Sequence, residues 1–261
     1  LSNDELLEIL AETKDPHRVQ KHLSKCFEGI AKLEFNATLD IRAMFSSKGE
    51  RLEFQPLPKS EGGRFINPMS SGSNVEVWLL QVESSMRAAV SRNIDLAVSS
   101  FKSAPDNISW VRMWSQQAAL AVSEVMWTSE IGHAIASGGP PALRLYGQAL
   151  TQQLQPIIKL VRGVLTTLDR GTFTNMVVLT VRKRDVVQGM AKAAVNKVTD
   201  FEWVAQLRYT WFGSKRVTRD HRPRPIQLKM INAEVGYACE YLGNSGRLVI
   251  TPLTDRCYRT L

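Results

Sequence analysis

The strongest constraint on this fold is a series of amphipathic helical patterns between Asn74 and Val198. In the first, Val75, Trp78, Val82, Met86, Ala89, Ile94 and Ala97 fall on one helical face, with Asn74 placed as an N-cap. A second stripe runs from about Ile108 to Ala136 through Val111, Trp114, Ala118, Ala121, Val125 and Ile131. Ser137-Gly138-Gly139-Pro140-Pro141 stops it, because Gly and Pro together end helices. A third covers about Ala142–Leu168, with Pro156 expected to kink or split it and Gly171 as its C-terminal signal. A fourth covers about Thr172–Val198, where Arg182-Lys183-Arg184-Asp185 interrupts the apolar face and is expected to face water. Amphipathic helices in series with short breaks predict an antiparallel bundle. The Trp residues spaced along them (Trp110, Trp127) read as interhelix packing.

Upstream the period changes. Leu1–Ala11 reads as a short helix with Ser2 and Glu5 at capping-box spacing. Thr13-Lys14-Asp15-Pro16 breaks it, and a second helix is expected from about His17 to Ile30 on Val19, Leu23, Phe27 and Ile30. From Leu33 to Pro58 the pattern alternates through Leu39, Ile41, Ala43, Phe45, Leu52 and Phe54, with Ser46–Glu50 as a turn. This predicts a β-hairpin, which either simply packs or offers a surface against which another element leans. Residues 56–73 are a Pro/Gly/Ser-rich loop. Downstream, Asp200 caps a short helix, Arg208–Phe212 is strand-like, Ser214–Pro225 is a basic loop, and Ile226–Asn232 and Val235–Leu242 read as two more strands.

The last residues divide by chemistry. Gly243-Asn244-Ser245-Gly246 is a turn. Arg247–Ile250 is β-prone, Thr251-Pro252 closes it, and Thr254 or Asp255 can cap a helix beginning at Arg256. A first residue of Leu rather than Met, and a last residue inside that predicted helix, are read as the ends of a piece cut from a longer polypeptide.

The formal charge is +8, but between Arg182 and Arg224 eleven Lys/Arg face four Asp/Glu, so the surplus is local. A nucleic-acid partner is therefore not expected from the net charge, although a basic helical nucleic-acid module is the reading that this surplus would support. No apolar run approaches the roughly 18 residues that span a bilayer, so no membrane partner is expected, and the acidic Asp4, Glu5 and Glu8 do not read as a secretory signal. Cys26, Cys239 and Cys257 are distant from one another and fit free thiols, and His17, His22, His133 and His221 do not join them at metal-ligand spacing. No GxxxxGK[ST], HExxH, GxSxG or GxGxxG occurs; Gly213-Ser214-Lys215 lacks the spacing that cradles phosphates. No autonomous catalytic constellation is expected.

Glu240-Tyr241-Leu242-Gly243-Asn244, followed by Leu248-Val249-Ile250-Thr251-Pro252-Leu253-Thr254-Asp255-Arg256-Cys257-Tyr258, resembles the start of the first AAA+ module of dynein heavy chains. Leu1–Leu10 and Lys25-Cys26-Phe27-Glu28-Gly29-Ile30 resemble the dynein linker, with an axonemal flavour. The resemblance implies a mainly α chain. Residues 1–225 would belong to the linker (helix pair 1–30, β-hairpin 33–58, bundle 74–212). Residues 226–261 would form the junction and a strand-loop-helix beginning the module. It implies a mechanical lever that couples ATP binding and hydrolysis in the AAA+ ring to minus-end-directed movement on microtubules, in cilia or flagella. Leu248, Val249, Ile250, Thr251, Pro252, Leu253 and Thr254 would lie on the adenine side of a nucleotide site, as apolar walls with backbone groups near Thr251 reading the base edge. ATP or ADP with Mg would be held by the parent module and not by this stretch alone. Implied partners are the rest of the heavy chain, the microtubule through a distant stalk, and dynein light and intermediate chains. The alternative is a free-standing helical scaffold for protein partners.

Overall fold

A computed structural model describes residues 7, 15–59, 62–70, 74–213, 224–249, 251, 253–254 and 256–257. The N-terminal helix expected over residues 1–11 thus lies outside the described residues except for Leu7, which is helical and exposed. The basic loop lies outside them from residue 214 to 223.

From residue 15 the described chain forms α1 (Pro16–Val19), a 3-10 turn (Gln20–His22) and α2 (Leu23–Cys26). Asp15 caps α1 by accepting from the His17 N–H at 3.0 Å, and Pro16 occupies a first-turn position where its missing N–H costs nothing. The single helix expected to Ile30 ends four residues early, because Phe27 turns extended. Val19, Leu23, Phe27 and Ile30 are nonetheless all buried.

Three short strands follow, β1 (Lys32–Phe35), β2 (Ile41–Phe45) and β3 (Arg51–Glu53), in an antiparallel meander. The hairpin is therefore a three-stranded sheet, to which Lys32–Phe35 adds a strand that the alternating pattern did not mark. Leu39 is not a strand residue; it sits at φ 63° in the β1–β2 turn.

The helical body is α3 (Val75–Phe101), α4 (Asn107–Arg112), α5 (Gln116–Arg162) and α6 (Thr167–Lys192). α3 matches its expected bounds, beginning after Asn74. The helix expected from Ile108 is broken between Arg112 and Gln116. There Ser115 caps α5 by accepting from the Ala118 N–H, while Asn93 on α3 accepts from the Ser115 N–H and hydroxyl at 3.3 and 2.7 Å.

α5 consists of two helical halves, and Gly139 (φ 56°, ψ −137°) between them folds the second back on the first. The contacts give the direction of each half. Gln116 and Glu124 meet Thr172 and Lys183 of α6, so residues 116–138 run alongside α6 in the same sense. Gly147 faces Val187 and Gln188, and Arg170 donates to the Val161 and Gly163 carbonyls, so residues 140–162 run opposite. The Gly-Gly-Pro-Pro stop is thus a reversal, and the expected antiparallel packing holds between the two halves of α5.

Pro156 does not split α5; it is exposed, so the carbonyl it leaves unbonded can face water. Gly171 ends nothing, because Thr166 caps α6 by accepting from the Asp169 N–H at 3.1 Å and the helix starts ahead of it.

After α7 (Phe201–Val204), strands β4 (Arg208–Trp211), β5 (Ile226–Met230) and β6 (Ala233–Gly236) form a second antiparallel sheet. Trp211 Nε1 donates to Asp95 on α3 at 3.0 Å, and the Tyr209 N–H donates to Thr128 on α5 at 3.0 Å, which ties this sheet to the bundle. The chain is mainly α with two small antiparallel sheets. One large core joins the first sheet, α3, the N-terminal part of α5, α6 and the second sheet; a smaller one gathers Trp127, Ile131, Leu143, Leu150, Val187 and Trp203. Among the described residues no helix is long and apolar enough to cross a membrane.

Candidate functional site

Beyond β6 no further strand forms among the described residues. Residues 237–246 run as an irregular strap over the body, and polar side chains from four separate elements hold it. On the α5 N-terminus, Gln117 Nε2 donates to the Tyr237 hydroxyl and the Glu240 carbonyl at 2.8 and 2.7 Å, and its Oε1 accepts from the Leu242 N–H at 2.9 Å. Gln116 Nε2 donates to the Ser245 carbonyl at 3.0 Å. On α6, Asn175 donates to that same carbonyl at 3.1 Å and accepts from the Arg247 N–H at 2.9 Å.

The β2–β3 turn supplies the third anchor. Ser46 donates to Asn244 Oδ1 at 2.5 Å, and Lys48 Nζ donates to the Asn244 carbonyl at 3.0 Å. Glu50 accepts from the Tyr241 hydroxyl at 2.7 Å, from Asn244 Nδ2 at 2.9 Å and from the Gln116 N–H at 2.7 Å. That last bond places a carboxylate at the start of α5, where the helix dipole favours it. Further back, Arg87 donates to the Ala238 carbonyl at 2.7 Å.

Packing matches the hydrogen bonding. Cys239 and Tyr241 have no exposed surface. Gly29 lies so close that a Cβ there would sit 2.3 Å from the Tyr241 carbonyl oxygen and 2.6 Å from the Gly243 nitrogen. Gly243 adopts φ +59° beside Ser46, a conformation glycine takes without strain. Burial first, and the Glu50 carboxylate next, hold the Tyr241 phenol above its ordinary pKa, so it remains a donor. Burial also raises the Tyr237 phenol, and burial followed by the Asp95 charge pushes the Cys239 thiol up to about 12.

Past the strap the character inverts. Leu248, Val249 and Leu253 are 77%, 68% and 70% exposed. Residues 247–249 are not a strand: a ladder needs a neighbouring backbone, and the Arg247 N–H is already bonded to Asn175. Leu253 and Thr254 are already helical, and Thr251 rather than Thr254 takes the capping place, its hydroxyl accepting from the Thr254 N–H at 3.3 Å. Ile250 and Pro252 lie outside the described residues. Of the seven residues expected on the adenine side, the described Leu248, Val249 and Leu253 are apolar and exposed, with hydroxyls at Thr251 and Thr254 beside them.

Two clefts open beside the strap. One of about 390 Å³ is lined by Lys48, Thr167, Arg170, Asn175 and Gly246, the other of about 350 Å³ by Ser24, Glu28, Lys48, Leu242 and Asn244. Neither includes Leu248, Val249 or Leu253. The exposed segment suits one wall of a pocket for a flat apolar group, with the remaining walls coming from elsewhere. Among the described residues no cluster of three or more His, Cys, Asp or Glu could hold a metal ion.

The anchors themselves were not found from sequence. Glu50, Gln116, Gln117 and Asn175 are spread over 126 positions, and each reads locally as an ordinary polar residue of a turn or helix.

Comparison with known proteins places both parts. Residues 1–97 match the family model "Dynein heavy chain, N-terminal region 2", and residues 237–261 match "Hydrolytic ATP binding site of dynein motor region". Over the whole chain, dynein axonemal heavy chain 12 of Mus musculus is 49% identical, that of Homo sapiens 49%, and dynein axonemal heavy chain 3 of Homo sapiens 45%. The chain spans only 8%, 8% and 6% of the lengths of these relatives.

Proposed function

This chain belongs to the dynein heavy chain family, with axonemal members as its relatives, and from that premise we propose that it is the lever of a ciliary or flagellar motor together with the start of that motor's first ATPase module. Residues 1–225 are the C-terminal portion of the linker, with the helical turns of 16–26, the first sheet at 32–53 and the bundle within 74–212. Residues 226–261 are the junction. The parent chain hydrolyses ATP with Mg in its AAA+ ring, and bending and straightening of the linker move it toward the microtubule minus end. This stretch contributes no catalytic group; phosphate and Mg contacts come from downstream. The rest of the heavy chain and, through it, the microtubule are its partners, with light and intermediate chains in the assembled motor.

One observation carries this reading. The strap that opens the ATP-site match at Tyr237 is built into the core of the body, not tethered beside it. A nucleotide-driven movement beginning at residues 248–254 would reach the helices through packed atoms. Long helices packed along their length suit a lever, because packed interiors deform little under load.

Within this reading Leu248, Val249, Ile250, Pro252 and Leu253 wall the adenine, and backbone near Thr251 and Thr254 reads its edge. The test uses the chain extended through the downstream module. Leu248→Asp with Leu253→Asp is expected to weaken nucleotide binding by about tenfold or more, roughly 1.4 kcal/mol, with the circular dichroism spectrum unchanged. Unaltered affinity would make the segment a structural connector only. Absence of nucleotide binding by the unsubstituted chain would favour the free-standing scaffold.

A further inference from the structure

We infer that Glu50 is the positioning residue that couples the nucleotide site to the lever: its carboxylate joins the β2–β3 turn, the α5 N-terminus and the strap residues Tyr241 and Asn244 in one node. The inference rests on the lever reading above and names the contact through which it would operate.

Three features single out Glu50 among the anchors. It connects the two family matches, since Glu50 lies within the N-terminal region match and Tyr241 and Asn244 within the ATP-site match. It is also the one anchor that binds two strap side chains and a helix terminus together. Oε1 is shared by the Gln116 N–H and Asn244 Nδ2, while Oε2 takes the Tyr241 hydroxyl. Gln116 in turn reaches Ser245, and its Oε1 lies 3.4 Å from the Thr172 hydroxyl of α6, so the network continues into the next helix. Finally, the strap has no slack at this point. Gly29 lies against the Tyr241–Gly243 backbone, where even a methyl group would collide.

A strap packed against Gly29 and bonded to Glu50 cannot slide independently of the first sheet or of α5. Displacement of residues 247–254 is passed to both elements in register. Without the carboxylate, the Tyr241 ring still fills its site, but the hydroxyl, Asn244 Nδ2 and the Gln116 N–H lose their shared acceptor. The strap can then shift without carrying the helix. The nucleotide-contacting residues lie beyond the node, so hydrolysis does not require it.

The experiment uses the complete heavy-chain motor, unsubstituted and as Glu50→Ala, Tyr241→Phe and Gly29→Ala. ATPase rate and microtubule gliding speed are measured on the same preparations. Glu50→Ala is expected to keep ATPase within about twofold while the ratio of gliding speed to ATPase falls by about fivefold or more, the size of a typical intersite coupling. Tyr241→Phe retains the ring and is expected to lower the ratio less, so it guards against a folding failure of the alanine variant. Gly29→Ala forces the strap outward and is expected to lower the ratio as well. An unchanged ratio in all three would overturn the inference, as would ATPase and gliding falling in proportion. Failure of the unsubstituted motor to glide would instead overturn the lever reading beneath it.

Discussion

Lys183 places an ammonium group in the interior of the bundle, 6% exposed and 3.3 Å from Glu124, itself 6% exposed. The Ser123 carbonyl and hydroxyl accept from the same Nζ at 2.9 and 2.8 Å. Burial holds the ammonium below its ordinary pKa, with the Glu124 charge opposing that shift. Such a pair contributes little net stability, yet breaking it leaves a lone buried charge. Lys183→Met is therefore expected to cost about 3–5 kcal/mol, and adding Glu124→Leu to recover most of that loss. Urea denaturation of both variants measures it; a single-mutant cost under about 1 kcal/mol would mean that the pair is effectively solvated. The sequence held a signal for this residue that its charge obscured. Met176, Thr180, Lys183, Val187 and Met190 recur at three and four, and all are buried, so the stripe's own register places Lys183 inward. Reading the charge run as a solvated break set residue type above position. Arg184 and Asp185, which pair with each other at 2.7 Å and have more exposed side chains, are the part of that run that faces outward.

The reversal inside α5 depends on the backbone of a single residue. Gly139 at φ 56°, ψ −137° occupies a region that L-residues avoid, while a Cβ there would meet Asn196 at an ordinary 3.5 Å. Gly139→Ala is thus expected to cost about 1–3 kcal/mol through backbone strain rather than collision. Gly132, helical in the same element with open space around it, is the contrast: Gly132→Ala is expected to stabilise by about 0.5–1 kcal/mol. Equal effects at the two sites, by chemical denaturation, would remove the special role of Gly139. This reversal was legible because Gly-Gly-Pro-Pro is local chemistry. The break between α4 and α5 was not, since neither Gly nor Pro marks it, and Asn93 on a different helix helps to fix it. For the same reason Pro156 misled. Its effect depends on whether the freed carbonyl reaches water, which is a property of the folded surface.

At the scale of the molecule, the start of the ATP-site family match at Tyr237 does not coincide with a boundary of the core. Cys239 and Tyr241 belong to the main hydrophobic cluster, and Glu50, Gln116, Gln117 and Asn175 find their partners on the strap. No local pattern announces such an arrangement. The tail could be read as a turn and a helix start, and its family resemblance pointed to residues 248–254, but the anchors are long-range in sequence and ordinary in type. Two truncations separate the parts. Ending the chain at Gly236 removes two buried side chains, each worth about 1.5–3 kcal/mol, and leaves several part-buried polar groups unpaired at about 1–3 kcal/mol each. It is expected to abolish cooperative unfolding or to lower stability by more than about 5 kcal/mol, a large share of a domain's total. Ending it at Gly246 removes Leu248, Val249 and Leu253, which are mostly exposed, and is expected to change stability by under about 1 kcal/mol. Denaturation of both truncated chains against the 261-residue chain distinguishes the cases. A mild effect at Gly236 would make the strap a tether laid on a finished core. A severe effect at Gly236 with a mild one at Gly246 makes the strap a part of the body, so that the core is complete only once the first residues of the ATP-site match have folded into it.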